Sequence, residues 1–299
     1  MKGIMKKEII LVKAPSILGL RPSGVQLLPE ALEEAGLKKH LNICEARLVK
    51  PPPYNPHRDP QTKILNPYSL AEYSINLADA VQDILQAGKF PLVLGGDCSI
   101  NIGIMLALKR LGRFGLFFLD GHADFYQPDA SPTGEAADMD LALVSGRGPE
   151  IITDLEGQKP LVRDEDIVLF GQRDKEETIK YGSQQVSETS ICVFELVKIR
   201  QNGLKKSIED SLRHLNHLLG FWVHMDADVL SDDKMPAVDY RISGGISFKE
   251  LAIIIRELLK SGRAKGMSLA IFNPLLDPSG KLASMIAKTV SAGFILNKS

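Results

Sequence analysis

Only three cysteines, Cys44, Cys98 and Cys192, occur in 299 residues, and they are widely spaced and odd in number. Such a set excludes a disulfide framework and suits a reducing compartment. Neither sign of charge is in excess. Lys and Arg total 36 against 37 Asp and Glu, for a net charge of −1, and no dense basic patch stands out. That argues against nucleic acid as a partner. No apolar run approaches the length of a membrane span. Lys2, Lys6 and Lys7 precede an apolar run of only Ile9 to Val12, too short for the core of a signal peptide, so a cytoplasmic protein is expected. Internal repeats and low-complexity tracts are also missing.

What is there is ordinary globular material, 44% hydrophobic and 24% charged. Short apolar runs at Glu8–Val12, Phe90–Leu94, Phe114–Leu119, Ile167–Phe170, Phe221–Met225 and Gly266–Ile271 read as strands. Helical periodicity fills Leu70–Ala87, Ile100–Leu111, Leu204–Leu219, Phe248–Leu259 and Lys281–Leu296. This alternation predicts an α/β fold of three layers, a mostly parallel central sheet flanked by helices on both faces. The Pro-rich stretch from Pro51 and the region 128–165 read as irregular. Neither divides the chain, so one domain over residues 1–299 is expected.

Chemistry concentrates where strands end. Asp120-Gly-His122-Ala-Asp124 follows one apolar run, and Asp226-Ala-Asp228 follows another. In extended backbone, residues i, i+2 and i+4 point the same way. Asp120, His122 and Asp124 can therefore converge, facing Asp226 and Asp228 from a second strand end. Four carboxylates cannot share a small volume without cations, which points to two divalent metal ions. A third run ends in Gly95-Gly-Asp-Cys98-Ser99 and leads into a helix, which Asp97 or Ser99 could cap. Cys98 reads either as a small buried apolar residue or, from its place in this turn, as a ligand.

Taken together, these motifs resemble those of the arginase family, or ureohydrolases. The family pattern is Gly-Gly-Asp-His-Ser, then Asp-Ala-His-x-Asp, then Ser-x-Asp-x-Asp. This chain has Gly95-Gly-Asp-Cys-Ser99, Asp120-Gly-His-Ala-Asp124 and His224-Met-Asp-Ala-Asp228 in the same order. Gly171-Gln-Arg-Asp174, Gly244-Gly245 and Asn273-Pro274 extend the likeness over about residues 90 to 295. The resemblance implies two Mn²⁺ ions bridged by Asp120 and Asp226. His122 and Asp228 would complete one ion, Asp124 and Cys98 the other. A water activated between the ions would attack a planar guanidinium or amidine-like carbon, and Asp124 could orient it. Homo-oligomers are common in the family, so one is expected here.

The departures bear on the substrate. Cys98 stands where the family has a metal-binding His. A thiolate would add a fifth negative charge, hold the water proton more tightly and tilt metal preference towards Zn²⁺, Fe²⁺ or Co²⁺. Thr133-Gly-Glu-Ala-Ala137 replaces the loop that carries the family's proton-shuttling His, whose place Ala137 takes. Glu135 is the nearest titratable substitute, followed by Asp138 and Asp140. Ile271 occupies the position of the family's guanidinium-binding Glu. His224 stands where Ser is commoner, as a structural residue or an acid–base group reaching the pocket. The expected function is a binuclear-metal hydrolase of a linear C–N bond in a small amidine- or guanidine-like molecule other than plain arginine. Asp124, His224 and Glu135 are its candidate catalytic residues. The alternatives are a catalytically silent protein that keeps this fold to bind a small ligand and, more remotely, a single-metal deacylase.

Overall fold

Strands buried on both faces need apolar side chains at every position rather than alternation. That rule accounts for the central strands. The computed structural model describes residues 2–4 and 7–297. Its strands are β1 Lys2–Ile4, β2 Ile9–Ala14, β3 Ala46–Leu48, β4 Phe90–Gly95, β5 Gly115–Leu119, β6 Ile167–Phe170, β7 Cys192–Phe194, β8 Phe221–Asp226, β9 Ala264–Ala270 and β10 Ile295–Asn297. Every residue of β4, β5, β6 and β8 is buried. Eight strands form one sheet in the order β3-β2-β4-β9-β8-β5-β6-β7, and all its pairings are parallel.

The six expected strands are present, each within two residues of its expected ends. The edge strands β3 and β7 were not expected. They have three residues each, too few for a pattern to show. The helix expected to reach Leu296 stops at Gly293, because Ile295–Asn297 pairs antiparallel with Lys2–Ile4. The one expected over Leu204–Leu219 ends at His214 and continues as a 3-10 turn. Region 128–165, expected to be irregular, holds the short helices Asp140–Val144 and Glu150–Thr153.

Helix ends are set locally. Helix Phe248–Lys260 starts with a capping box, in which Ser247 Oγ accepts the Glu250 N–H at 3.2 Å and Glu250 accepts the Ser247 N–H at 2.8 Å. Helix Pro67–Gln86 packs on helix Ile100–Leu111, and Phe248–Lys260 packs on Lys281–Gly293. No helix among the described residues is long and apolar enough to cross a membrane. Four central neighbours, β4, β9, β8 and β5, bring their carboxyl ends side by side. In parallel α/β sheets this is where ligands bind.

Candidate metal centre

Register decides which side chains meet. Leu119 of β5 lies beside Met225 of β8, so Asp120 and Asp226 emerge next to each other as their strands end. On the other side of β8, Asp226 pairs with Ala270 of β9. Ile271 follows with φ at 69°, unusual for a β-branched residue. Its N–H donates to the Gly96 carbonyl at 2.8 Å, tying β9 to the turn after β4. In that turn a Cβ at position 96 would lie 1.8 Å from the Ser16 carbonyl oxygen, so only glycine fits. Asp97 braces the same turn, accepting N–H groups from Gly19 at 3.2 Å and Ser99 at 2.9 Å. Burial raises its carboxyl to about 6. Ser99 makes no side-chain cap to the helix it precedes.

Two sets of donor atoms result, each lying within 4.8 Å of one another. One is Asp120, His122 and Asp228. The other is Cys98, Asp120, His224 and Asp226, with Asp120 common to both. In the first, His122 Nδ1 lies 2.8 Å from Asp228 Oδ2. The His122 N–H donates to Asp120 Oδ1 at 2.6 Å and the Gly121 N–H to Asp228 Oδ1 at 3.1 Å. In the second, the Cys98 thiol donates to Asp226 Oδ2 at 3.0 Å. The Asp228 N–H fixes the other oxygen of Asp226 at 2.7 Å.

Burial holds Asp120, Asp124 and Asp226 well above the usual carboxylate range, and the neighbouring carboxylates push the same way. Burial likewise pushes the Cys98 thiol up, followed by the field of Asp226. Burial would raise Asp228 too, but His122 and Arg173 outweigh it and lower it. His122 is disfavoured as a cation by burial, yet Asp228 and Asp120 raise it to about 9. Asp120 Oδ2 is buried without any partner. Acids crowded to the point of taking up protons, with an orphaned oxygen between two donor sets, are what a pair of divalent cations would relieve. The residues therefore fit two metal ions.

Some candidate residues fall elsewhere. Asp124, at φ 44°, lies outside both donor sets. It faces the cavity next to Asp140, whose carboxylate accepts from Asn101 Nδ2 at 2.6 Å. The pairing of Asp124 with Cys98 around one ion is thus not preformed. His224 does not reach the pocket. It is fully buried behind Cys98 on β8, with Nδ1 at 2.9 Å from Ser268 Oγ and its ring stacked on Phe118. An acid–base role in contact with substrate is corrected accordingly, because His224 shares the face of Asp226 but lies two residues deeper in β8, below the strand end that opens on the cavity. Glu135 does line the cavity, accepting the Arg21 N–H at 2.8 Å and the Tyr240 hydroxyl at 2.7 Å.

Arg173 and Tyr240 also stand at the site, in contacts that the motifs left unassigned. Arg173 donates to the Asp228 carbonyl at 2.6 Å. Its guanidinium lies against Gly121, where a Cβ would come within 2.3 Å of Nη1. The family pattern has Ala at that position, so the exchange for Gly was the available sign of a large neighbour. Nothing around Tyr240 in the sequence marks it. The cavity above the centre measures about 350 Å³. Leu20, Ala137, Ile242 and Ile271 give it apolar walls. Tyr126, Tyr181 and Tyr240 add aromatic ones, and Asp138, Asp174 and Glu177 stand among them.

Comparison with known proteins identifies the family and the fold. A sequence model described as Arginase family matches residues 7–296. An arginase of Staphylococcus aureus (strain COL) is 30% identical over 298 residues, covering 96% of this chain and 97% of its own. An arginase of Bacillus subtilis (strain 168) is 30% identical over 294 residues, covering 96% and 98%. The crystal structure of arginase from Bacillus subtilis subsp. subtilis str. 168 superposes with a TM-score of 0.87 at 28% identity, covering 98% of this chain and 99% of that one.

Proposed function

Because the chain belongs to the arginase family and is a metal-dependent amidinohydrolase, we propose that its substrate is a small amidine- or guanidine-like compound neutral at its reacting group, rather than plain arginine. The observation that carries this reading is Ile271 in the cavity wall beside the centre. A guanidinium pressed against it would lose water and gain no counter-charge, which is costly. An activated amide is neutral and meets no such cost, and a hydroxyguanidine, far less basic than a guanidine, meets little of it. The same compounds have better leaving groups, so Ala137 in the place of a proton shuttle is tolerated.

Two divalent ions, Mn²⁺ by preference for oxygen-rich ligands, would be held by Asp120, His122, Asp226 and Asp228, with Cys98 completing the set and Asp124 closing in from the cavity. When bound, they supply Lewis acidity and a water of lowered pKa. The chain's own residues do the rest. Asp124, exposed to the cavity, takes the proton released as water adds. Glu135 and Tyr240 form a hydrogen-bonded pair in the wall that positions polar groups of the substrate. The apolar walls exclude bulk water. We also infer that residues 1–299 act as one domain and assemble as a homo-oligomer, for which a monomer in sedimentation velocity would be the contrary result.

The test is a screen of metal-loaded protein against formimino, hydroxyguanidine and activated amide compounds, with arginine alongside, reading urea, ammonia or amine release. Arginine should trail the best substrate by roughly two to three orders of magnitude in kcat/KM, the scale of one missing buried charge partner. Efficient arginine turnover that disappears in Asp124→Ala would refute the substrate assignment and leave the centre standing. No turnover by protein carrying both ions would favour a silent ligand-binding member of the family.

A further inference from the structure

We propose that His224 is itself a metal ligand, so that one ion is held by Cys98, His224, Asp226 and the shared Asp120. The inference rests on the binuclear reading above and assigns a residue within it. Its basis is position. The donor atoms of these four residues lie within 4.8 Å of one another. His224 Nε2 is 3.3 Å from Cys98 Sγ, which is 3.0 Å from Asp226 Oδ2. None of the four is more than 2% exposed.

The surroundings of His224 match what ligation requires. A ligating imidazole needs its far nitrogen to donate to a fixed acceptor, which sets the tautomer and aims the ring. Nδ1 is 2.9 Å from Ser268 Oγ, and the Trp222 indole N–H donates to the same oxygen at 2.9 Å. A serine hydroxyl has two lone pairs and can accept both. Nε2 is then left with its lone pair directed at the sulfur and carboxylates. The ring cannot swing away, because Phe118 is stacked on it with centroids 4.9 Å apart. His224 on β8 and Cys98 in the turn after β4 come from strands separated by β9, yet offer nitrogen and sulfur to one point. Cys98 loses its thiol proton as the ion enters, as thiolate ligation requires.

The two sites then differ in kind. Sulfur, nitrogen and two carboxylates suit Zn²⁺ or Co²⁺ in four-coordinate geometry. Asp120, His122 and Asp228 form the harder site, suited to Mn²⁺. A centre with two different ions follows, in place of two equal ones.

The experiment uses full-length protein loaded with Co²⁺, with elemental analysis for stoichiometry and the near-ultraviolet thiolate-to-cobalt charge-transfer band as a readout independent of turnover. Wild type should bind two ions and show the band. His224→Ser and His224→Gln should keep one ion, bind the other at least about 100-fold more weakly, and lose or shift the band. Asp228→Ala should lose an ion and retain the band. On wild type, which avoids any folding defect of a variant, labelling histidine with ¹⁵N should give nitrogen hyperfine couplings from two histidines. Two ions with an unchanged band in both His224 variants, or coupling to one histidine only, would overturn the assignment. Two ions without a thiolate band in wild type would overturn it as well, leaving the binuclear reading intact. A wild type that takes up no ion would bring down both.

Discussion

Replacing Asp120 by Asn should have opposite effects on stability with and without metal. Asp120 is fully buried, belongs to both donor sets and has one oxygen with no partner. Its carboxylate lies within 4.8 Å of donor oxygens of Asp226 and Asp228. At an effective dielectric of about 20, each such pair repels by about 3.5 kcal/mol when both are charged. Proton uptake relieves part of this, so Asp120→Asn should stabilise metal-free protein at neutral pH by about 1–3 kcal/mol, or roughly 2–5 °C for a chain of this length. The amide keeps an oxygen to accept the His122 N–H now bonded at 2.6 Å. The gain should shrink towards pH 4. Burial raises the folded-state pKa of Asp120 above its unfolded value, so the folded apoprotein binds protons that the unfolded chain releases, and its stability falls as pH rises. With saturating metal the order reverses. Each ion at about a thousand times its Kd adds about 4 kcal/mol, and the variant forfeits most of both contributions. The assay is thermal unfolding of wild type and variant in chelator and in excess Mn²⁺. A variant less stable than wild type in chelator would show that Asp120 is a structural hydrogen-bonding residue and not an uncompensated ligand. A wild-type melting temperature indifferent to metal would refute the centre.

Ile271→Glu should raise kcat/KM for arginine by roughly tenfold or more and depress it for neutral substrates; parallel changes for both classes would discard the role given to this wall. Asp138, raised to about 7 by burial, holds its proton in the folded state above the ordinary carboxylate pKa. Its contribution to stability is present below about pH 4 and is lost as pH rises through 7, by at most about 1.4 kcal/mol per unit. Asp138→Asn should flatten that slope in denaturant titrations from pH 4 to 7, and an unaltered slope would exclude the assignment. Gly121→Ala should displace Arg173, weakening metal at the Asp228 site while leaving Cys98 reactivity towards thiol reagents in chelator unchanged. Ser247→Ala should cost about 1 kcal/mol through loss of the helix cap, measured by urea unfolding.

Physical range explains what could be read from the chain beforehand. The central strands were legible because both faces are buried and nearly every position of β4, β5 and β6 is apolar. The ligand motifs were legible because a strand end holds i and i+2 on one side within five residues. Edge strands of three residues have no room for a pattern, and β3 and β7 exist only through their pairing with β2 and β6. The same limit applies to the site. His224 was singled out from its place before Asp226, but whether it faced pocket or sheet depended on Ser268, 44 residues away in the sequence and beside it across β8 and β9. Cys98 and His224 are separated by 126 residues. Each departs from the family pattern at its own position, and taken singly each looks like a loss. Under the proposed ligation they exchange chemistry, with sulfur standing where nitrogen left and nitrogen supplied from β8, across β9 from the strand that leads to Cys98. Gly121 and Arg173 show the same logic in volume, a side chain removed where a guanidinium lies. A substitution in a buried charged cluster should therefore be judged with the residues its strand neighbours bring to it. By that standard, Ile271 and Ala137 stand beside a centre that keeps its donors, as the proposed change of substrate requires.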